Sequence, residues 1–502
     1  MTETRQVGSI AYATRDRRYF ERRGLQRYAG IWSLWALGVG AVISGHFSGW
    51  NFGFITGGWG GMLVAAAIIA VMYLGLVSSI AEMSAALPHT GAAYSFARTA
   101  MGPWGGFVTG LFENVQYVLA PAVVCTFISG YFGSLAGLDT AWYPLLWIAV
   151  FALFLALNIF GVALSYRVTL LVTLVSLGGL MFFWISALPH VDYARWALNV
   201  GAGPDGAAIA LPAGNGPWLP FGWQGILASL PFAVWLFLAI EQVPLAAEEA
   251  VDPQRDLPRG ILLAFGTLLL SAVMIVLLNP AIQGVGSFAL STSLEPALDG
   301  IRAIYGDGAA PAFGVVALVG LAASFHTILY AQGRQVYSLS RAGYFPSGLS
   351  VTHPRHRTPH LAMIAGAALG LLVMLGIWFN NGGGGPGETQ LGDDIIGSVL
   401  LNMAVFGAML SYIMQALSFI ILRRRLGHIH RPFRSPLGIP GALLTMVIAV
   451  VTLFYQLQDP SFSKGVIWVV LWCALGIGYF ALFGRRRLIL SPEEEFALAH
   501  GA

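Results

Sequence analysis

Residues 32–54 read WSLWALGVGAVISGHFSGWNFGF, 23 residues without a single Asp, Glu, Lys or Arg. A helix rises about 1.5 Å per residue, so this run is long enough to cross the roughly 30 Å of hydrocarbon in a bilayer. It is also rich in glycine, at Gly38, Gly40, Gly45, Gly49 and Gly53. Glycine at such a density either forms a close-packing helix surface or lets the backbone leave helical geometry. On the second reading the segment from Ser44 to Phe47 is unwound inside a membrane span.

Working outward, similar apolar runs recur along the chain. Spans are expected at 31–55, 60–87, 104–133, 142–163, 168–188, 223–247, 259–288, 311–339, 360–376, 394–421, 440–457 and 464–483, about twelve in all. Ala65 to Val77, AAAIIAVMYLGLV, is apolar on every helix face, as suits a helix between lipid and other helices. Composition agrees: 57% of the 502 residues are hydrophobic and 10% are charged, where a soluble domain carries about 25%. The chain has too few charges to coat a soluble fold of this size. The fold class is therefore all-α, a polytopic membrane protein. Its two cysteines imply neither a disulfide framework nor a metal site. Residues 1–30 are Arg-rich and lack the apolar core of a signal peptide.

Cations mark the sides. With the N-terminus in the cytoplasm, all of the 26 Lys and Arg except Arg195, Arg302 and Lys464 fall on the cytoplasmic side or at cytoplasmic helix ends. This predicts cytoplasmic N- and C-terminal segments at 1–30 and 484–502, and an extracytoplasmic loop at 189–222. A second Gly/Asp-rich outside loop is expected at 377–393. The chain shows no nucleotide-binding loop and no large soluble domain, which argues against an ATP-driven pump, and no feature that calls for nucleic acid.

The sixth span, PFAVWLFLAIEQVPLAAEE, brackets Glu241 between Pro231 and Pro244. Each proline removes a donor and frees a carbonyl, at about 3 kcal/mol in a helix interior unless neighbours compensate. Interruptions in spans one and six occupy matching places in two sets of five helices. That is the pattern of a five-plus-five inverted repeat, 31–188 and 223–421, with a loop and two further helices at 422–483. Two ordinary kinks are the plainer alternative.

Carboxylates inside spans are costly unless paired, protonated or set in a polar cavity. Glu113, in LFENVQYVLAPA, and Glu241 are thus candidates for a binding pocket, or for structural roles within it. Trp235, Phe237, Tyr117 and Trp50 share these stretches and offer faces that attract an ammonium, although aromatic packing explains them too. His46 and His326 are either packing histidines or groups that bind cargo or pass a proton. Glu82, near a cytoplasmic helix end, reads as a gating or anchoring residue.

Longer motifs carry a resemblance. Residues 82–110, EMSAALPHTGAAYSFARTAMGPWGGFVTG, and 247–260, AEEAVDPQRDLPRG, resemble the signatures of the amino acid, polyamine and organocation transporter superfamily. SRAGYFP at 340–346 and RPFRSP at 431–436 are similar to its later patterns. More narrowly, GHFSGWNFG at 45–53, ENVQYVLAPA at 113–122 and PLAAEEA at 244–250 look like its ethanolamine permease branch.

The resemblance implies a LeuT-like repeat with unwound helices one and six around the cargo. It implies that Ser44, Gly45 and His46 occupy the segment whose amides receive a carboxylate in amino acid carriers. The bulky His46 departs from that pattern and points to a cargo without a carboxylate. Ser176 stands where some proton-coupled relatives have lysine, and Lys464 lies far off in helix twelve. Coupling by lysine is therefore not expected, while proton, sodium, uniport and exchange mechanisms stay open.

The expected function is alternating-access import of ethanolamine or a similar small amino alcohol across a bacterial inner membrane, with no cofactor. Its ammonium would meet Glu113 or Glu241, and its hydroxyl Ser44 or Gln116. An amino acid or polyamine permease or exchanger is the alternative, and a membrane-embedded enzyme or sensor a remote one.

Overall fold

The structure is a computed structural model. It describes residues 4–7, 9–160, 162–212, 214–380, 396–458 and 460–500. Twelve helices carry the architecture: α1 Ile31–Val42, α2 Gly53–Ala86, α3 Ala92–Ala136, α4 Tyr143–Ile159, α5 Val162–Ala187, α6 Gly222–Val234, α7 Pro253–Leu278, α8 Ala310–Arg341, α9 His360–Asn380, α10 Ile396–Arg425, α11 Gly438–Gln458 and α12 Pro460–Leu482.

Ten of these, all but α1 and α6, are long and apolar enough to cross a membrane. The two that fall short are the two expected to be interrupted. Helices α3, α8 and α10 are central, with 78%, 67% and 72% of their most apolar windows buried. In α4 and α12 that share is 22%, and Leu145, Ile148 and Leu153 of the first and Ile467, Trp468 and Leu475 of the second face outward. Outward apolar faces are what lipid requires.

The breaks are real but one lies elsewhere than expected. Ser44–Phe47 is a helical turn, not an unwound stretch. The ladder is interrupted just before it, because the Ser324 hydroxyl donates to the Gly40 carbonyl at 2.7 Å and accepts the Ser44 amide at 2.9 Å. A side chain from α8 thus fills one rung of the first span. The chain then leaves helical geometry at Ser48, which is extended, and Gly49, at φ +98°. Gly49 tolerates that φ because it has no Cβ.

In the sixth span α6 tightens to i−3 bonding over Trp235 to Phe237 and reverses at Ala239, at φ +80°. A 3-10 segment, Ile240–Ala246, follows. Pro244 has no N–H to bond the Ile240 carbonyl, which favours the change of helix type.

Further helical reorientations fall at Gly58 and Gly102, both with positive φ, so the apolar runs merge with short flanking helices and the expected starts at 60 and 104 shift to Gly53 and Ala92. The fold also contains short strands that an all-α reading omits. β1 Thr4–Val7 pairs with β2 Ile10–Ala13, which runs parallel to β5 Leu488–Ile489; β3 Val200–Ala202 and β4 Ala208–Ala210 form a hairpin in the loop before α6. A final helix, α13, spans Pro492–His500. Residues 381–395 of the expected outside loop and the side chain of Lys464 lie outside the described residues.

Candidate functional site

Spans one and six meet along their interruptions. The entry to α1 is tied to the end of span six by Tyr28 and Ala29 amides donating to the Glu249 carbonyl at 2.8 and 2.9 Å. Deeper, Gln242 Nε2 donates to the Leu37 carbonyl at 3.2 Å. At the breaks, His46 Nε2 lies 3.0 Å from the Leu236 carbonyl, and Trp235 Nε1 donates to the Ser48 carbonyl at 3.1 Å. Gly45 packs so closely on the Trp235 carbonyl that a Cβ there would clash.

A polar cluster sits beside this junction. Glu113 and Gln116 come from the middle of α3, and Glu241 from the 3-10 segment just past the Ala239 reversal. Gln116 Nε2 donates to Glu241 Oε1. Tyr117 Oη donates to Glu113 Oε1 across a long 3.5 Å. The Tyr73 and Tyr412 hydroxyls, 3.0 Å apart, join the cluster from α2 and α10, with Tyr412 against Glu241. Phe237 closes it by packing on the rings of Tyr73 and Phe265, at 5.3 and 5.8 Å between centroids.

Both carboxylates are at most 2% exposed. Each keeps one oxygen, Glu113 Oε2 and Glu241 Oε2, without a hydrogen-bond partner. Among the described residues neither forms an ion pair, whereas Glu82, Glu248, Glu249 and Glu494 all do. Chemically, this is a small, buried, acidic site lined by amide and phenol groups, with room in its hydrogen bonding for a donor from outside the chain.

A family model described as amino acid permease matches residues 30–480. The chain belongs to the amino acid permease family. It is 26% identical to the methylthioribose transporter of Bacillus subtilis, over 93% of this chain and 96% of that one. It is 24% identical to the branched-chain amino acid permease of the same organism, over 92% and 94%. It is 29% identical to an uncharacterized transporter of Rhizobium meliloti, over 71% and 74%. The protein is thus a multi-pass bacterial inner-membrane transporter of the amino acid permease superfamily, a family of carriers rather than enzymes. None of these names is an ethanolamine permease, the finer branch that its motifs resemble.

The other expected residues of the permease are dispersed. His326 is bonded on both ring nitrogens, 2.9 Å from Asn158 Nδ2 and 2.9 Å from Ser165 Oγ, and packs α8 on α4 and α5. His46 is equally occupied, with Ser271 Oγ of α7 at 2.7 Å and the Leu236 carbonyl on its other nitrogen. Glu82 anchors a loop: Arg423 donates to both its oxygens, at 3.0 and 2.6 Å, and Arg431 and the Ser435 amide complete the set. Ser176 bonds back to the Val172 carbonyl.

Sequence reasoning missed Tyr73, Tyr412, Ser324 and Gln335. Gln335 of α8 approaches Glu113 without closing an ordinary hydrogen bond. Tyr73, Ser324 and Tyr412 are polar groups inside apolar stretches of their helices, the same signal that singled out Glu113, whereas Gln335 sits in the polar run AQGRQVYSLSR at 331–341.

Proposed function

We propose that this permease carries an amino acid or a closely related small amine by alternating access, with the cargo's ammonium received by Glu113 and Glu241. The observation that carries the reading is the pair of buried carboxylates, each with one oxygen lacking a hydrogen-bond partner and with no ion-pair partner among the described residues. An ammonium supplies the missing positive charge and up to three donors, and the nearby phenol rings of Tyr117, Tyr73 and Tyr412 add attraction. The left-handed Ala239 next to Glu241 stores strain of about 1–3 kcal/mol, which suits a segment that changes shape with its cargo. Interrupted spans one and six support a five-plus-five inverted repeat, followed by two further helices, with its site at the junction of the two interrupted spans, and the cation bias supports cytoplasmic chain ends.

The similarity to a branched-chain amino acid permease favours an amino acid over an amino alcohol, while the methylthioribose transporter takes a cargo of neither class. One specific feature favours ethanolamine or a similar carboxylate-free amine as a second reading: the Ser44 and His46 amides are already bonded, to Ser324 and to the Ile43 carbonyl. A carboxylate would have to displace those partners.

Purified protein in liposomes separates the two. Concentrative uptake of labelled branched-chain or other amino acids, unaffected by excess ethanolamine, supports the first reading; the reverse competition supports the second. Substituting Glu113→Gln and Glu241→Gln separately is expected to weaken binding of either cargo. Parental affinity in both folded variants would remove the ammonium site. Imposed proton and sodium gradients identify the coupling ion.

A further inference from the structure

The face of α8 that leads away from Glu113 is polar, fully buried and incompletely bonded. Gln335 lies towards Glu113, and its side-chain atoms have no hydrogen-bond partner of ordinary length. Ser338, three residues on, is fully buried and its hydroxyl has no partner either. By helical spacing Ser338 shares a face with Arg334 and Arg341. Those two arginines bond Glu249 and Glu248, at the end of span six. Buried polar groups are normally paired, and an unpaired file of them marks a surface that meets water or a polar ligand in another state.

The two ion pairs at the end of this file differ. In the inner one Glu249 accepts from Arg334 Nε at 3.0 Å, Arg334 Nη2 at 2.7 Å, Tyr330 Oη at 2.7 Å and Tyr166 Oη at 3.2 Å, and it is fully buried. It holds the end of span six on α8 as one unit. The outer one reaches solvent, with the Glu248 side chain 26% exposed. There Arg341 grips Glu248 through both terminal nitrogens, at 2.8 and 2.6 Å, and places Nη2 2.7 Å from His89 Nε2. His89 stands in the turn between α2 and α3, and its Nδ1 accepts the Gly91 amide at 2.8 Å. His89 Nε2 also lies 3.5 Å from Glu248 Oε1, so the imidazole ties the α2–α3 turn to both members of this ion pair. The tie sits at the partly exposed end of the cluster, which makes the seam between Arg341 and the α2–α3 turn its weak side.

We infer that Glu248, Arg341 and His89 form the inner gate of the permease, and that the Gln335–Ser338 face of α8 lines the path from the Glu113–Glu241 site to it. The path rests on the reading of that site as the cargo site. The gate opens by release of Arg341 and movement of the His89 turn, while the Glu249–Arg334 pair keeps span six seated on α8. These are positioning residues: none touches the cargo in the closed site.

The test is thiol accessibility, which needs no cargo. Ser338→Cys is introduced with the buried Cys125 and Cys473 replaced by serine, and a membrane-impermeant maleimide is applied to inside-out vesicles. With the gate intact the cysteine is expected to react slowly. Adding Glu248→Gln is expected to speed labelling about tenfold, a shift of about 1.4 kcal/mol towards the open form. Reagent applied from the opposite side is expected to gain nothing. Because Glu248→Gln strands the Arg341 charge, Arg341→Gln serves as a second opening variant. Equal, slow labelling in both, with full reactivity after denaturation, would overturn the gate. Loss of the cargo reading shows up separately, as unchanged amine binding in Glu113→Gln and Glu241→Gln.

Discussion

The indole of Trp235 donates to the Ser48 carbonyl at 3.1 Å, so the residue at which span six loosens is bonded to the residue at which span one leaves the helix. Two weak points are thereby made into one joint. Gly49 completes it: its left-handed φ turns the chain under the Trp235 ring, and a Cβ there would sit 2.7 Å from the indole nitrogen.

Removing the donor should loosen both breaks. Trp235→Phe keeps most of the apolar volume and leaves the buried Ser48 carbonyl unpaired, at a cost of about 1–3 kcal/mol. A lower midpoint of thermal unfolding in detergent is expected, and Gly49→Ala should lower it further through backbone strain and the indole contact. An unchanged midpoint for Trp235→Phe would mean that the joint contributes nothing.

Ser324 supplies the missing rung between Gly40 and Ser44. Ser324→Ala removes the hydroxyl inserted between the Gly40 carbonyl and the Ser44 amide, which are i→i−4 partners, so the cost reaches about 1–3 kcal/mol where span one stays bent and falls towards zero where the rung closes directly. In the reading of span one as part of the cargo site, the freed Ser44 amide becomes available, and affinity for a carboxylate-bearing cargo should rise relative to ethanolamine. Measuring both affinities in the folded variant checks the two effects independently.

The buried pair of Arg334 and Glu249 should behave asymmetrically. Arg334→Met leaves Glu249 unpaired and is expected to cost about 3–5 kcal/mol. Adding Glu249→Gln removes the stranded charge and should restore most of that loss. A double variant no more stable than Arg334→Met would show that packing, rather than charge, holds the end of span six on α8.

How far the sequence could be read follows from what kind of signal each feature leaves. Membrane crossing is a property of composition over many residues, so the apolar runs located α2 to α5 and α7 to α12 directly, with end shifts where short helices abut them at Gly58 and Gly102. The breaks were legible as prolines around Glu241 and as glycines in span one. Which glycine breaks the helix was not, since that depends on Ser324, 280 residues away in the chain. Glu113, Gln116, Tyr117 and Glu241 converge, because charge in an apolar helix has few affordable locations. His46 and His326 resemble them in sequence but found neutral partners, Ser271 and the Leu236 carbonyl for one, Asn158 and Ser165 for the other. Periodicity says which residues are costly, and tertiary contacts decide which costs are already met.

The two ends of the described chain offer a prediction about pH. Glu494 of α13 is fully buried and accepts from Arg98, from Tyr12 Oη at 3.1 Å and from Tyr344 Oη at 2.8 Å, while the Ile489 amide donates to the Ala342 carbonyl beside the gate residue Arg341. Burial, and then the Glu494 carboxylate, push the Tyr12 phenol above its usual value of 10.0. A group whose folded value is raised contributes stability that is fully present below its unfolded value and declines as pH climbs towards the folded one. The clasp should therefore be intact at neutral pH and slacken only above about pH 10, the unfolded phenol value. A nitroxide attached through Glu495→Cys, at an exposed position on the same helix, is expected to stay immobilised through pH 9 and gain mobility above 10. Glu494→Gln, which removes the acid that three donors share, should give the mobile spectrum already at pH 7. An immobile label in that variant would mean that α13 is held by its apolar contacts with α3, and that the buried acid is dispensable to the clasp.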